Sequence, residues 1–254
     1  MTPPTPLLSQ MTLSSVRAAD VRIALLPWGA TEAHNYHLPY GTDNIETEWI
    51  AAESARRANE RGAGVVVLPC LPFGVNTGQL AIRLTINMNP STQLAVLQDV
   101  VGSLEHQRIN KLVILNGHGG NDFKNMIREL QPKHRLFMSL VNWYRCLPLK
   151  DYFEVPGDHA DEMETSVMLH IAPGLVRPLN EAGDGASRAP KLTGFREGWA
   201  WTPRDWLKAT ADTGVGNPRA ATAEKGKRYL EAVATKIAAF LVDLAATPQE
   251  ELYG

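Results

Sequence analysis

Lys111-Leu112-Val113-Ile114-Leu115-Asn116-Gly117-His118-Gly119-Gly120-Asn121 changes character halfway along its length. A short run dominated by large aliphatic side chains stops abruptly in a turn built of Asn, Gly and His. An apolar run this short, with no polar alternation, reads as a strand covered on both faces, the kind found in parallel sheets. The same signature recurs at Val21 to Pro27, Gly64 to Pro69 and Leu136 to Val141. Between these runs the period becomes helical. Asn44 to Arg61 is one such stretch. Ser91 to Gln107 is another, with Ser91 read as its N-cap and Leu94, Leu97, Val101 and Leu104 at three-and-four spacing. Strand alternating with helix predicts βαβ units and an α/β fold of three layers, a mostly parallel sheet between helices. Ala81 to Met88 alternates well enough for a further strand. Arg219 to Ala245 reads as a long terminal helix with Leu230, Val233, Ile237, Leu241 and Leu244 inward. Asn180 to Pro218 is irregular and rich in Gly and Pro; a stretch that long is usually functional or mobile. Its Trp199, Trp201 and Trp206 read as core or interface residues.

The 254 residues, 44% hydrophobic and 20% charged, suffice for a full-sized core, and the expectation is one domain over residues 1–254. A formal charge of −2, with Lys and Arg spread along the chain, leaves no basic footprint for nucleic acid. Cys70 and Cys146 have no paired ligand spacing, so neither a disulfide framework nor a cysteine zinc site is expected. A reducing cytoplasm fits. Met1 to Met11 lacks the charged start and apolar segment of a signal peptide. No run approaches the roughly 18 to 20 apolar residues that span a bilayer, so no membrane association is expected.

In α/β architectures ligands gather beyond the C-terminal ends of the strands, where the polar motifs of this chain lie. The first is Gly29 to Asp43. Glu32 and His34 are two residues apart, so an extended backbone sends both side chains to one face. Pro39 and Gly41 can fold the chain back and bring Asp43 to the same point as a bridging carboxylate. Asp43-x-x-Glu46 also reads as a capping-box variant, and a carboxylate with two oxygens can serve both purposes. His118 alone could be a capping or surface residue, or part of a phosphate-cradling turn. Together with Glu32, His34 and Asp43 it reads as a metal ligand. Imidazole plus carboxylate suits zinc, manganese or iron(II) better than magnesium. The third motif is Gly157 to Ser166. Asp161 and Glu162 there complement a helix start, Glu164 is favoured as a ligand, and His159 as acid/base. His37 is as readily a hydrogen-bond partner of a ligand as a ligand itself, and stays outside the set. His106, His134 and His170 read as ordinary solvated or packed histidines.

With those residues in place, the chain resembles the creatininase (creatinine amidohydrolase) family over nearly its whole length. The family's Gly-[Ser/Ala]-x-Glu-x-His segment leading to His-Leu-Pro-x-x-Thr-Asp stands at Gly29 to Asp43. Its Gly-His-Gly-Gly-Asn block stands at Gly117 to Asn121, and its His-Ala-x-x-x-Glu-Thr-Ser block at His159 to Ser166. Gly214 to Pro218, followed by Ala221 to Gly226, is a further family-like piece. The resemblance implies an α/β fold, a site for two divalent ions, hydrolysis of a C–N bond in a cyclic or linear amide, and often a homohexamer. It implies Glu32, His34, Asp43 and His118 as ligands, Asp43 as the bridge, and His159 in proton transfer. Creatininase proper has a glutamate ligand where this chain has Gly120, and Glu164 fills that gap.

The expected chemistry is a metal-activated water attacking an amide, lactam or formamide carbonyl. His159 would then protonate the departing nitrogen, and the N–H groups of Gly119, Gly120 and Asn121 would steady the oxyanion. Asn35, Asp161, Gln79 and Arg83-Leu84-Thr85 depart from the family pattern in pocket-forming segments, so the small-molecule substrate is not carried over. Two rivals stand beside this reading: a metal-dependent lyase or isomerase acting through an enediolate on a sugar-like substrate, and a metal-stabilised binding protein without turnover. Labelled water oxygen in the product would separate hydrolysis from proton abstraction.

Overall fold

The computed structural model describes residues 5–155 and 157–253. Part of the stretch read against a signal peptide, residues 1–4, lies outside these. Four strands, β1 (Ile23–Trp28), β2 (Val65–Val67), β3 (Lys111–Asn116) and β4 (Phe137–Asn142), form a sheet in the order β2-β1-β3-β4. Every pairing is parallel. The helices are α1 (Leu13–Ala18), α2 (Thr42–Asn59), α3 (Pro90–His106), α4 (Phe123–Leu130), α5 (Glu162–Ile171), the single turns α6 (Thr193–Arg196) and α7 (Trp206–Ala209), and α8 (Ala223–Ala246). Among the described residues no helix is long and apolar enough to cross a membrane. Cys70 and Cys146 are free thiols.

The period of two along β1 divides the core. Ile23 and Leu25 pack with side chains of α2, α5 and α8, including Ile50, Val167 and Leu230. Ala24, Leu26 and Trp28 pack with α3 and α4 through Leu97, Val101 and Phe123. Both faces are therefore covered, which is why the strands read as continuous apolar runs. The five residues of the terminal helix expected to face inward are all buried. Burial of aliphatic side chains at roughly 1.5–3 kcal/mol each is what holds such a helix on the sheet.

Two expectations need correction. Ala81 to Met88 forms no strand; only Ile86 and Asn87 make isolated bridges, to Thr31 and Gly74. The alternation there had no core to face: Leu80 and Leu84 are 64% and 72% exposed, and Leu84 takes φ +65°. Ser91 is not the N-cap. Helix α3 begins one residue earlier, with Pro90 at its first position after Asn89, which makes no side-chain cap bond. Proline there gives up an N–H that would be unpaired anyway, so no capping oxygen is needed.

The strand order locates the site. From β1 the chain moves to β2 on one side, then returns to β3 on the other, so β1 and β3 part at a topological switch point. Trp28 pairs with Asn116 at the ends of these strands, and Gly117 N–H donates to Trp28 O at 2.9 Å. The segments carrying Glu32 and His118 therefore leave side by side. Helix α2 crosses directly over this exit: a Cβ on Gly29 would meet Asn44 Oδ1 at 2.2 Å, and one on Gly117 would meet Thr47 Oγ1 at 1.8 Å. The two glycines are what let the first turn of α2, and Asp43 with it, come so close.

Candidate metal centre

Glu32, His34, Asp43, His118, His159 and Glu164 meet in one cluster, buried except for Glu164, which keeps slight exposure. Asp43 stands between two imidazoles. Its Oδ1 lies 3.0 Å from His34 Nε2 and its Oδ2 lies 3.0 Å from His118 Nδ1. Glu32 Oε1 lies 3.2 Å from His118 Nδ1 and 3.6 Å from His159 Nδ1. Glu164 Oε1 lies 3.9 Å from His34 Nε2. The donors fall into overlapping groups that share Asp43: Glu32, Asp43 and His118 in one, His34, Asp43 and Glu164 in the other, with Glu32, His34 and His159 also within reach of a common point. The capping-box reading of Asp43 is excluded, because Gly41 is the N-cap of α2 and Asp43 sits inside the first turn.

Each of the three imidazoles is anchored through one nitrogen by a backbone carbonyl. His34 Nδ1 donates to Glu32 O at 3.1 Å, His118 Nε2 to Val75 O at 3.1 Å, and His159 Nε2 to Ala33 O at 2.8 Å. The other nitrogen of each ring then faces carboxylate oxygens. In a neutral ring that nitrogen is an acceptor, and two acceptors face each other stably only with a proton or a cation between them. No Lys or Arg pairs with these carboxylates among the described residues. The donor set fits divalent cations.

The electrostatics agree. Burial disfavours a charged His34, but the Asp43 carboxylate overrides it and raises the imidazole to about 10. Burial likewise opposes a charged His118, yet Glu32 and Asp43 hold it well above the usual histidine range. Glu32 and Asp43, in spite of burial, are pulled below the usual carboxylate range by these histidines. Burial raises Glu164 to about 8, with His34 opposing and Asp43 adding to the rise. His159 goes the other way, lowered by burial and by the charge on His34. Protons thus stand where cations would at His34 and His118, and of the three clustered imidazoles the one shifted down is the one expected to move protons. Glu46, one turn beyond Asp43, is buried with neither oxygen hydrogen bonded among the described residues; burial first, then its acidic neighbours, holds its carboxyl well above the usual carboxylate range.

Local sequence explains how each group is held. Asp161 caps α5 by accepting from the N–H groups of Met163 and Glu164, which fixes Glu164 in the first turn. The Ala160 N–H also donates to Glu164 Oε2. His159 is held by an antiparallel bridge to Val215, with Val215 N–H donating to His159 O at 2.8 Å, so the Gly214 to Pro218 segment supports this histidine. Asn121, expected as an oxyanion donor, has its backbone N–H engaged within the protein. Its N–H donates to His118 O at 3.2 Å, and its buried amide ties Val75 N, Gln93 Nε2 and Asn116 Oδ1 together. The N–H groups of Gly119 and Gly120 donate to no protein atom among the described residues. His37 is bound through Nε2 to Thr165 Oγ1 at 2.8 Å.

Two contacts had no signal in the local pattern. Gln79 Nε2 donates to Glu32 Oε2; only its departure from the family pattern had marked it. Trp206 lies against His159, ring centroids 4.7 Å apart, and Arg204 stacks over the same indole at 4.6 Å. Trp199 and Trp201, read as core or interface residues, are 75% and 83% exposed. Residues 187–209 wall a cleft of about 1,700 Å³ whose floor includes Glu32, Asp43, His118, His159 and Glu164.

The family model described as creatinine amidohydrolase matches residues 9–241. Mycofactocin precursor peptide peptidase of Mycobacterium ulcerans is 31% identical over 213 residues, 80% of this chain and 78% of that protein. Creatinine amidohydrolase of Pseudomonas putida is 24% identical over 247 residues, 87% of this chain and 89% of that protein. A solved structure from Bacteroides fragilis, provisionally named creatinine amidohydrolase, superposes with a TM-score of 0.91 at 45% identity, covering 98% of both chains.

Proposed function

The chain belongs to the creatininase family, and on that premise we propose that it is a metal-dependent hydrolase cleaving a C–N bond of an amide, lactam or formamide. The observation that carries the reading is the set of three imidazoles, each tied through one nitrogen to a backbone carbonyl and aimed through the other at carboxylates. Glu32, Asp43 and His118 would hold one divalent ion, and His34, Asp43 and Glu164 a second, with Asp43 common to both. Zinc, manganese and iron(II) all suit such donors. Ions of this kind supply Lewis acidity, which lowers the pKa of water toward neutrality and polarises a carbonyl.

The protein groups do the rest. His159 donates from Nε2 to Ala33 O, so Nδ1 is the atom that takes and returns a proton. An amine leaves badly unless protonated, and delivery of that proton is worth roughly 10²- to 10⁴-fold. Trp206, packed on the ring, keeps it in one orientation and shields it from water. Gly119 and Gly120 offer N–H groups to the developing oxyanion. The peptidase and creatinine amidohydrolase relatives support cleavage of a C–N bond in a small molecule or a short peptide.

The test is turnover of lactams, formamides and short peptides by manganese- or zinc-loaded protein in ¹⁸O-water. One labelled oxygen in the product carboxylate is expected. Exchange of a substrate carbon-bound hydrogen without label would instead establish proton abstraction and overturn the hydrolase.

A further inference from the structure

The cleft over the candidate centre is too large and too cationic for a single neutral ring. Its volume of about 1,700 Å³ exceeds the roughly 300–1,000 Å³ of sites that enclose one drug-sized molecule. Above the acidic floor, Lys and Arg outnumber carboxylates in the wall, where Asp122 is the one acid outside an ion pair among the described residues. Two of the wall's cations are neutralised, Arg204 by Asp158 at 2.5 Å and Lys208 by Asp205 at 2.8 Å. Lys124, Arg145, Arg188 and Lys191 also line the cleft, and among the described residues none has a carboxylate partner. These four come from three separate segments: the start of α4, the turn after β4, and the long stretch before α6, which carries both Arg188 and Lys191. Unpaired like charges around one opening repel each other and create a field that draws in anions. Trp201 lines the same cleft with most of its indole exposed, a flat apolar surface against which an extended ligand can pack.

We propose that the substrate is an acidic peptide, its scissile amide over the floor of Glu32, Asp43 and His118 and its carboxylates along Lys124, Arg145, Arg188 and Lys191. The choice of an amide rests on the hydrolase reading above; the preference for negative charge does not. A compact anion would satisfy one cation and leave the others unmatched, whereas a chain with several carboxylates reaches cations on all three segments.

Fluorescence anisotropy tests this directly, using metal-loaded protein and two labelled short peptides that differ only in Glu against Gln. The Glu peptide is expected to bind about tenfold tighter at low salt, with the difference collapsing at about 0.5 M NaCl. It should also collapse in the double variant Arg188→Gln/Lys191→Gln, whose changes lie on exposed residues and leave the metal content intact. Equal binding of the two peptides, or an undiminished preference in the double variant, would overturn the proposal. So would competition by a nucleoside monophosphate at lower concentration than the Glu peptide. Selective binding of the Glu peptide with no cleavage of any amide would leave the charge preference standing and remove the hydrolase; cleavage of neutral amides without that selectivity would do the reverse.

Discussion

Gly120→Ala should dismantle one half of the candidate centre without touching a ligand. A Cβ at position 120 would lie 2.4 Å from Val75 O and 2.5 Å from His118 Nε2, where real Cβ atoms keep at least 3.0 Å. Those two atoms are the partners of the 3.1 Å hydrogen bond that anchors the His118 ring. The carbonyl is backbone and yields little, so the imidazole must swing. Losing the anchor costs about 1 kcal/mol, and forcing a methyl into packed space adds about 1–3 kcal/mol. An imidazole ligand deprived of its partner typically loses roughly 10- to 100-fold in metal affinity. The expected result is therefore a lower melting temperature, with one equivalent of metal lost on desalting at micromolar protein, read by elemental analysis. Gly119→Ala is the control, since a Cβ there meets nothing within 4 Å; its metal content should match the unmodified protein. Gly120→Glu, the substitution that would imitate creatininase, meets the same obstruction and should lose metal as well. Full retention of two tightly held equivalents in Gly120→Ala, at unchanged stability, would refute both the placement of His118 and its role.

Three further outcomes follow from the same geometry. Glu164→Gln should release the ion shared with His34 and leave the other, halving the stoichiometry; an unchanged count would remove Glu164 from the ligand set. His159→Gln should keep both ions while kcat drops by about 10²- to 10⁴-fold with little change in KM, and full activity would exclude His159 from proton transfer. Because the Asp43 carboxylate outweighs burial and keeps His34 protonated up to about 10 in the metal-free protein, an ion must displace that proton to bind. Affinity should thus fall with falling pH, by about tenfold per unit for each proton displaced. Calorimetry in buffers of different ionisation enthalpy counts the protons released, and pH-independent affinity would contradict the assignment.

What the amino-acid sequence made legible follows from the range over which each signal acts. Strand and helix periods are local and survive in the fold: β3 begins at Lys111 as read, and α8 buries every residue assigned to its inner face. Alternation misled at Ala81 to Met88 because it reports a half-buried surface, and this segment has no sheet edge to supply one. The ligand motifs were readable because the switch point brings the ends of β1 and β3 together wherever such a sheet forms. The oxyanion role of Asn121 was not decidable from spacing. An N–H offered to substrate and one closing a turn occupy the same position in the chain, and only the 3.2 Å bond to His118 O separates them.

Trp206 is the opposite case. It lies 47 residues beyond His159 in a stretch without periodicity, and its contact depends on how Arg204 and Gly78 seat the loop: a Cβ on Gly78 would meet Arg204 O at 1.9 Å. The ligand shell is thus written into strand exits and helix starts, whose geometry is set by the backbone. The wall that faces substrate is written into residues 187–209, whose course is set by side-chain contacts such as Arg204 with Asp158. A stable sheet can carry many such walls. In this chain the chemistry is therefore more constrained by sequence pattern than the substrate is, and the unpaired cations of the cleft become informative only once the fold has placed them around one opening.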